Sequence, residues 1–206
     1  MDWLARLPIK HKIVIAGNHD HGLDKSCSFI SQRRRYGPYP NPKETDELVK
    51  LFSEKKIIYL TPERPTAEIE VDGENINVYG LPHAPNFLGP DAFMRDREED
   101  TWAACQGKYD ILISHSPPRG LLDEAYGNRH VGCDHFLAAL KRVKPRVAVF
   151  GHIHEARGTR IETWEDGSAT FLCNAANYSH RDGSVAPPIY FSIDMAKSRS
   201  SSPSKI

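Results

Sequence analysis

Three apolar runs in this 206-residue chain end in residues that can do chemistry. Lys12-Ile13-Val14-Ile15-Ala16-Gly17 runs into Asn18, His19 and Asp20. Tyr109-Asp110-Ile111-Leu112-Ile113-Ser114 ends on His115, and Arg146-Val147-Ala148-Val149-Phe150-Gly151 ends on His152-Ile153-His154. Brought together, Asn18, His115 and His152 offer one carboxamide oxygen and two imidazole nitrogens, a borderline donor set suited to zinc, manganese or iron. His154, from the same turn as His152, can reach a second ion. Two cations about 3.5–4 Å apart clamp the attacking and leaving oxygens of a phosphoryl displacement, and a hydroxide between them is the nucleophile available at neutral pH. His19 follows the Asn18 ligand and precedes Asp20. With Asp20 fixing its tautomer, it is placed to protonate a leaving oxygen, a role worth roughly 10²–10⁴ in rate. Each tip has a plainer reading. Gly, Asn and Asp are ordinary turn residues, His115 before Ser116-Pro117-Pro118 can be a packed histidine, and His152 and His154 can alternate along an edge strand. The recurrence of the design three times weighs against coincidence.

The elements that position these tips follow from their neighbours. Short, continuous apolar runs rich in β-branched residues read as strands buried on both faces of a parallel sheet. Ligands of such sheets bind beyond the carboxyl ends of the strands, and Gly17 lets the backbone turn there. Elsewhere, Asp2 to Pro8 reads as the last turns of a helix, Thr45 to Lys55 as a helix, and Ile57 to Leu60 as a strand. Ala67–Val71 and Ile76–Tyr79 alternate around Asp72-Gly73, which signals a hairpin. His83 closes a strand, with site and packing readings of equal weight. Glu98 to Gln106 reads as a short helix. A helix begins near Cys133-Asp134 with Phe136, Leu137, Leu140 and Val143 on one face. Arg160–Trp164 with Ala169–Leu172 makes a second hairpin, and Ile189–Ile193 a last strand. Asp123, His130, His135 and His180 read as surface or supporting residues. Helical crossovers early and hairpins late imply two packed sheets with helices outside, an α/β sandwich.

Twenty-seven acidic and 27 basic residues cancel, so no global field points to nucleic acid or an anionic membrane. Arg33-Arg34-Arg35 lacks interleaved aromatics and reads as a solvated loop rather than a nucleic-acid grip. No apolar stretch is long enough to span a bilayer, and the start lacks the pattern of a secretory leader. Four cysteines without a C-x-x-C pair fit a reducing, cytoplasmic compartment. Residues 1–195 are expected to form one domain and 196–206, rich in Ser, Lys and Arg, a disordered tail.

Gly17-Asn18-His19-Asp20, His115-Ser116-Pro117-Pro118 and Gly151-His152-Ile153-His154 resemble, in order and spacing, the G-N-H-D/E, G/T-H-x-P-P and G-H-x-H motifs of the calcineurin-like metallophosphoesterases. Ile13-Val14-Ile15-Ala16, Val131-Gly132-Cys133, Cys173-Asn174-Ala175-Ala176 and Pro187-Pro188-Ile189 narrow the likeness to the MPPED-type branch. The resemblance implies a four-layer α/β/β/α sandwich and metal-dependent hydrolysis of phosphomonoesters or phosphodiesters, with a small phosphate ester as substrate. It also implies that Asn18, His115 and His152 hold one divalent ion (Mn, Fe or Zn), that His154 holds the other, and that His19 assists the leaving group. The family's D-x-H and G-D motifs, which precede G-N-H, have no counterpart here. The chain is therefore expected to be an N-terminally truncated form of the fold, with at most one tightly bound ion and impaired turnover. The alternative is a non-catalytic remnant that binds a phosphate ligand or a protein.

Overall fold

The computed structural model describes residues 2–25, 42–87, 91–179, 181–193 and 204–205. In chain order the elements are α1 (Asp2–Arg6), β1 (Ile13–Val14), α2 (Pro42–Glu54), β2 (Ile58–Tyr59), β3 (Thr66–Val71) and β4 (Glu74–Leu81). Then come β5 (Ala84–Pro85), β6 (Met94–Arg95), β7 (Ile111–Ser114), β8 (Glu124–Ala125), β9 (Arg129–His130) and α3 (Asp134–Val143). The chain finishes with β10 (Val147–Phe150), β11 (Gly158–Thr163), β12 (Ala169–Asn174), β13 (Phe191–Ser192) and β14 (Ser204–Lys205).

The main sheet runs β11-β12-β10-β7-β4-β3. Its four inner strands are mutually parallel, and β3 and β11 join antiparallel through hairpins. In the first hairpin Asp72 and Gly73 both carry positive φ, 53° and 85°, the backbone that two-residue turns between twisted strands require. Side chains alternate across the sheet. Leu112, Ala148, Phe150 and Leu172 face Phe136, Ala139, Leu140 and Val143 of α3, with Trp102 stacked on Phe136. Ile76, Val78, Ile111 and Ile113 face the other way and pack on Ile13, Ile15, Ile58 and Leu60. Those residues lie in or directly after the parallel pair β1–β2, whose outer side is covered by α2 through the Phe52–Tyr59 ring stack, 4.4 Å between centroids. The layers are thus α3, main sheet, β1–β2 and α2, the expected α/β/β/α order with a two-stranded second sheet. Gly80 lets the sheets approach, since a Cβ there would lie 2.7 Å from Leu60 Cδ1 and 2.9 Å from Ile15 Cγ2.

α3 starts where its sequence says. Cys133 is the N-cap, with Sγ accepting from the Phe136 amide, and Lys144 ends the helix at φ 48°. Two expectations change. The Glu98–Gln106 helix is a run of turns, because Asp100 accepts the Trp102 amide locally and Trp102 is drawn into the core. The Ile189–Ile193 strand shortens to Phe191–Ser192, paired with Ser204–Lys205, so part of the expected tail is strand-paired. Arg33-Arg34-Arg35, Cys27, His180 and tail residues 196–203 and 206 lie outside the described residues. The loop before α3 tolerates no added carbon at Gly132, where a Cβ would sit 2.5 Å from the Pro118 carbonyl oxygen and 2.8 Å from the Arg119 nitrogen. Both are backbone atoms, so Gly132→Ala is expected to lower Tm by several degrees, read by thermal denaturation. An unchanged Tm would show that the loop relaxes freely.

Candidate metal centre

β7 and β10 are parallel and in register, so His115 and His152 leave the same edge of the main sheet. The β1–β2 pair, packed on that sheet, delivers Asn18 beside them. Asn18 Oδ1 lies 2.8 Å from His115 Nε2, and the His115 and His152 rings are 4.6 Å apart between centroids. The orientation of the Asn18 carboxamide is fixed from behind. Its Nδ2 donates to Asp91 Oδ2 at 3.0 Å, and a carboxylate can only accept, so Oδ1 must turn toward the histidines. The His115 ring is held against the backbone as well, because a Cβ on Gly17 would come within 2.7 Å of it.

His152 sits at φ 66°, and the Ile153 amide donates to the Gly151 carbonyl at 2.7 Å. This is a three-residue γ-turn with positive φ, a strained form of the kind that persists where surrounding structure enforces it. Asn174, fully buried at the end of β12, supplies that enforcement. Its Nδ2 donates to the carbonyls of Ile153 and Leu122, and its Oδ1 accepts from the Ala176 amide. His154 leaves this turn with its ring edge-on to Tyr178. Among the described residues it is not close enough to His115 and His152 for all three to hold one ion. It lines a cavity of about 950 Å³ together with Tyr126, His130 and Tyr178.

The electrostatics favour lone pairs over protons. Burial, reinforced by the neighbouring His152, His19 and His154 rings, drops the His115 imidazole to about 3. Burial and the His154 and His19 rings drop His152 to about 4. Both are neutral at pH 7, the form that binds a cation. The donor set, one carboxamide oxygen and two neutral imidazoles, therefore fits a borderline divalent ion.

The carboxylate beside His19 is not the one expected from the sequence. The proton-donor role relies on Asp20 as the orienting carboxylate, but Asp20 Oδ2 accepts from the Gly17 amide at 2.7 Å and closes the local turn. The carboxylate facing His19 is Asp91, 3.9 Å from its Nδ1. Asp91 also accepts from His21, and His19, His21 and Asp91 together could hold a metal ion. Sequence reasoning missed His21, Asp91 and Asn174. Asp91 lies in a stretch of sequence with no periodicity, and its distance of 73 residues from Asn18 hides the pairing. Asn174 was visible only as part of a motif. His130, read as a supporting residue, is held by the fully buried Asp123 at 2.7 Å from its Nδ1. His83 lies just past the end of β4 with its ring beside Phe93; among the described residues neither ring nitrogen has a hydrogen-bond partner, and burial lowers it to about 4.

The family model described as calcineurin-like phosphoesterase matches residues 1–156. The chain is similar to metallophosphoesterase domain-containing protein 1 of Homo sapiens, 34% identical over 97% of this chain and 60% of that protein. It is also similar to a UPF0046 protein of Caenorhabditis elegans, 30% identical over 92% of this chain and 60% of that one. A probable rhamnogalacturonate lyase C of Emericella nidulans shares 32% identity over 88% of this chain and only 15% of its own length. The chain thus spans about 60% of the first two relatives. With the matched model covering the strand tips at Asn18, His115 and His152 and the turn at His154, the chain belongs to the calcineurin-like metallophosphoesterase family, in its MPPED-type branch.

Proposed function

We propose that this chain hydrolyses a small phosphate ester, monoester or diester, at a divalent cation held by Asn18 Oδ1, His115 and His152. Family membership supports phosphoester hydrolysis in general. The observation that carries the reading is the meeting of two proton-refusing imidazoles with an oriented carboxamide at one sheet edge. A bound cation would act as Lewis acid on the phosphoryl group and activate water as the nucleophile. The protein's part is to keep His115 and His152 deprotonated by burial, to aim Asn18 Oδ1 through Asp91, and to lock the His152 turn through Asn174. His154 faces the 950 Å³ cavity, within the size range of small-molecule sites, and is assigned to the second cation or to the ester itself.

A second reading, phosphate-ester binding with little turnover, is favoured by one feature. Among the described residues no carboxylate joins His152 and His154 within ligand spacing, so nothing described there bridges two cations and offsets their repulsion. A reducing, cytoplasmic setting is part of the proposal, supported by Cys105, Cys133 and Cys173 being buried thiols. Among the described residues no helix is long and apolar enough to cross a membrane.

The test is to strip the purified protein with a chelator and add back Mn(II), Zn(II) or Fe(II) separately. Hydrolysis of 4-nitrophenyl phosphate and bis(4-nitrophenyl) phosphate is then followed. Cation-dependent release of nitrophenol, lost again on chelation, is expected. Release that ignores the cation overturns the proposal, and cation retention without release selects the second reading.

A further inference from the structure

We propose that His19, His21 and Asp91 form a divalent-cation site of their own, beside the Asn18–His115–His152 centre and distinct from it. Two imidazoles and one carboxylate are the donor set of open, three-ligand zinc-class sites, in which water or an anion takes the remaining position. The three donor atoms lie within 4.8 Å of one another. In a tetrahedral site with bonds near 2.0–2.1 Å, ligand atoms stand roughly 3.3 Å apart. His19 Nδ1 is 3.9 Å from Asp91 Oδ2, so that pair needs to close by a fraction of an ångström, while His21 and Asp91, already in direct contact, open to admit the ion. His19 is the ligand free to make it, because its side chain is 73% exposed.

The other two ligands are already held. Asp91 accepts from the Asn18 carboxamide and from the Ala92 amide at 3.0 Å. Ala92 and Phe93, just after it, are buried against Ala16 and Leu23. The Phe93 amide donates to Asp24 Oδ2 at 2.6 Å, tying this loop to the single turn His21–Leu23 that carries His21. His21 and Asp91 therefore meet because two short segments are clamped together, with the His21 side chain only 11% exposed. An ion pair at a surface needs no such frame. Nor does a lone turn explain why a second imidazole faces the same carboxylate. Charge agrees as well: one carboxylate and two neutral imidazoles leave a bound M(II) with a net single positive charge, matched to an anionic ligand.

The site's occupancy does not depend on phosphoesterase activity, so it is read by metal content. The whole chain is stripped, equilibrated with Zn(II) by dialysis and analysed for bound metal, alongside His21→Ala, His21→Gln and His115→Ala. His21 is the clean probe, since Asp91 also orients Asn18. His21→Gln keeps a hydrogen-bonding side chain for Asp91 and guards against a folding artefact. Both His21 variants are expected to lose one equivalent of zinc, with affinity for that equivalent falling beyond the roughly 10–100-fold that loss of an outer-shell partner costs. His115→Ala is expected to lose a different equivalent and keep the one held by His21. If both folded His21 variants retain as much zinc as the unmodified protein, the proposal is overturned and the cluster is an ion pair. If His115→Ala removes all zinc, the proposal also falls, whereas the reading of the Asn18–His115–His152 centre survives. If His115→Ala loses nothing while His21→Ala loses one equivalent, this site stands and that reading fails.

Discussion

Replacing His115 with alanine is expected to abolish cation retention at the strand-tip centre and reduce phosphoester hydrolysis to background. Three dependencies meet on this ring: the 2.8 Å approach to Asn18 Oδ1, the packing against His152 and the close fit over Gly17. Removing an outer-shell partner of a metal ligand typically costs about 10–100-fold in affinity or activity, and loss of a ligand should exceed that. Metal analysis and nitrophenol release, measured on protein whose Tm shows it folded, check the outcome. His130→Ala serves as the comparison. His130 faces the cavity near His154, away from Asn18, and its loss should leave retention at the strand-tip centre unchanged. Equal metal loss in both variants would show that the centre responds to any nearby histidine and that His115 is no ligand.

The second large effect is on acid stability of the cation-free protein. Buried His115, His152 and His83 sit at about 3, 4 and 4 in the native state, against about 6.5 in an unfolded chain. Between those values the unfolded chain takes up protons that the native state refuses, so acid favours unfolding. The native state's stability is intact above about pH 6.5. It falls as pH drops toward 4, at up to about 1.4 kcal/mol per pH unit for each histidine. Urea midpoints taken from pH 7.5 to 4.5 should fall steeply, and His83→Gln should flatten the slope by about a third. A level profile would mean that these rings are already protonated in the fold.

The strand tips were legible in the sequence because burial on both faces leaves a continuous apolar run, and because a polar residue after such a run has one edge of the sheet to occupy. Both hairpins were legible for a similarly local reason: each has an Asp-Gly turn between two strand-forming runs, and in the first the flanking residues alternate and specify the register. Residues 98–106 misled because helix spacing there competes with the pull of one large ring, Trp102, into the core and with the Asp100 carboxylate capturing a nearby amide. Asp20 misled in the same way. Adjacency in sequence suggested a partner for His19, yet a short side chain beside a glycine turn satisfies the nearest amide first. Asp91, His21 and Asn174 were out of reach because their roles lie in contacts across the fold, which no spacing records.

Asn18 and His115 meet across 97 residues of chain, and this separation sets when the centre can exist. The two hairpins close locally and need little of the chain. The centre needs β7 and β10 paired and the β1–β2 layer already seated on them, which is the costly, long-range end of assembly. A cation at these donors is therefore a ligand of the finished topology alone. It cannot template the fold, but it stabilises the native state by mass action, by about 2.7 kcal/mol at a hundredfold excess over its Kd. Under the proposed reading, metal supply would then tune how long each molecule survives after folding rather than how fast it folds. In unfolding kinetics added cation should slow the unfolding arm and leave the refolding arm untouched.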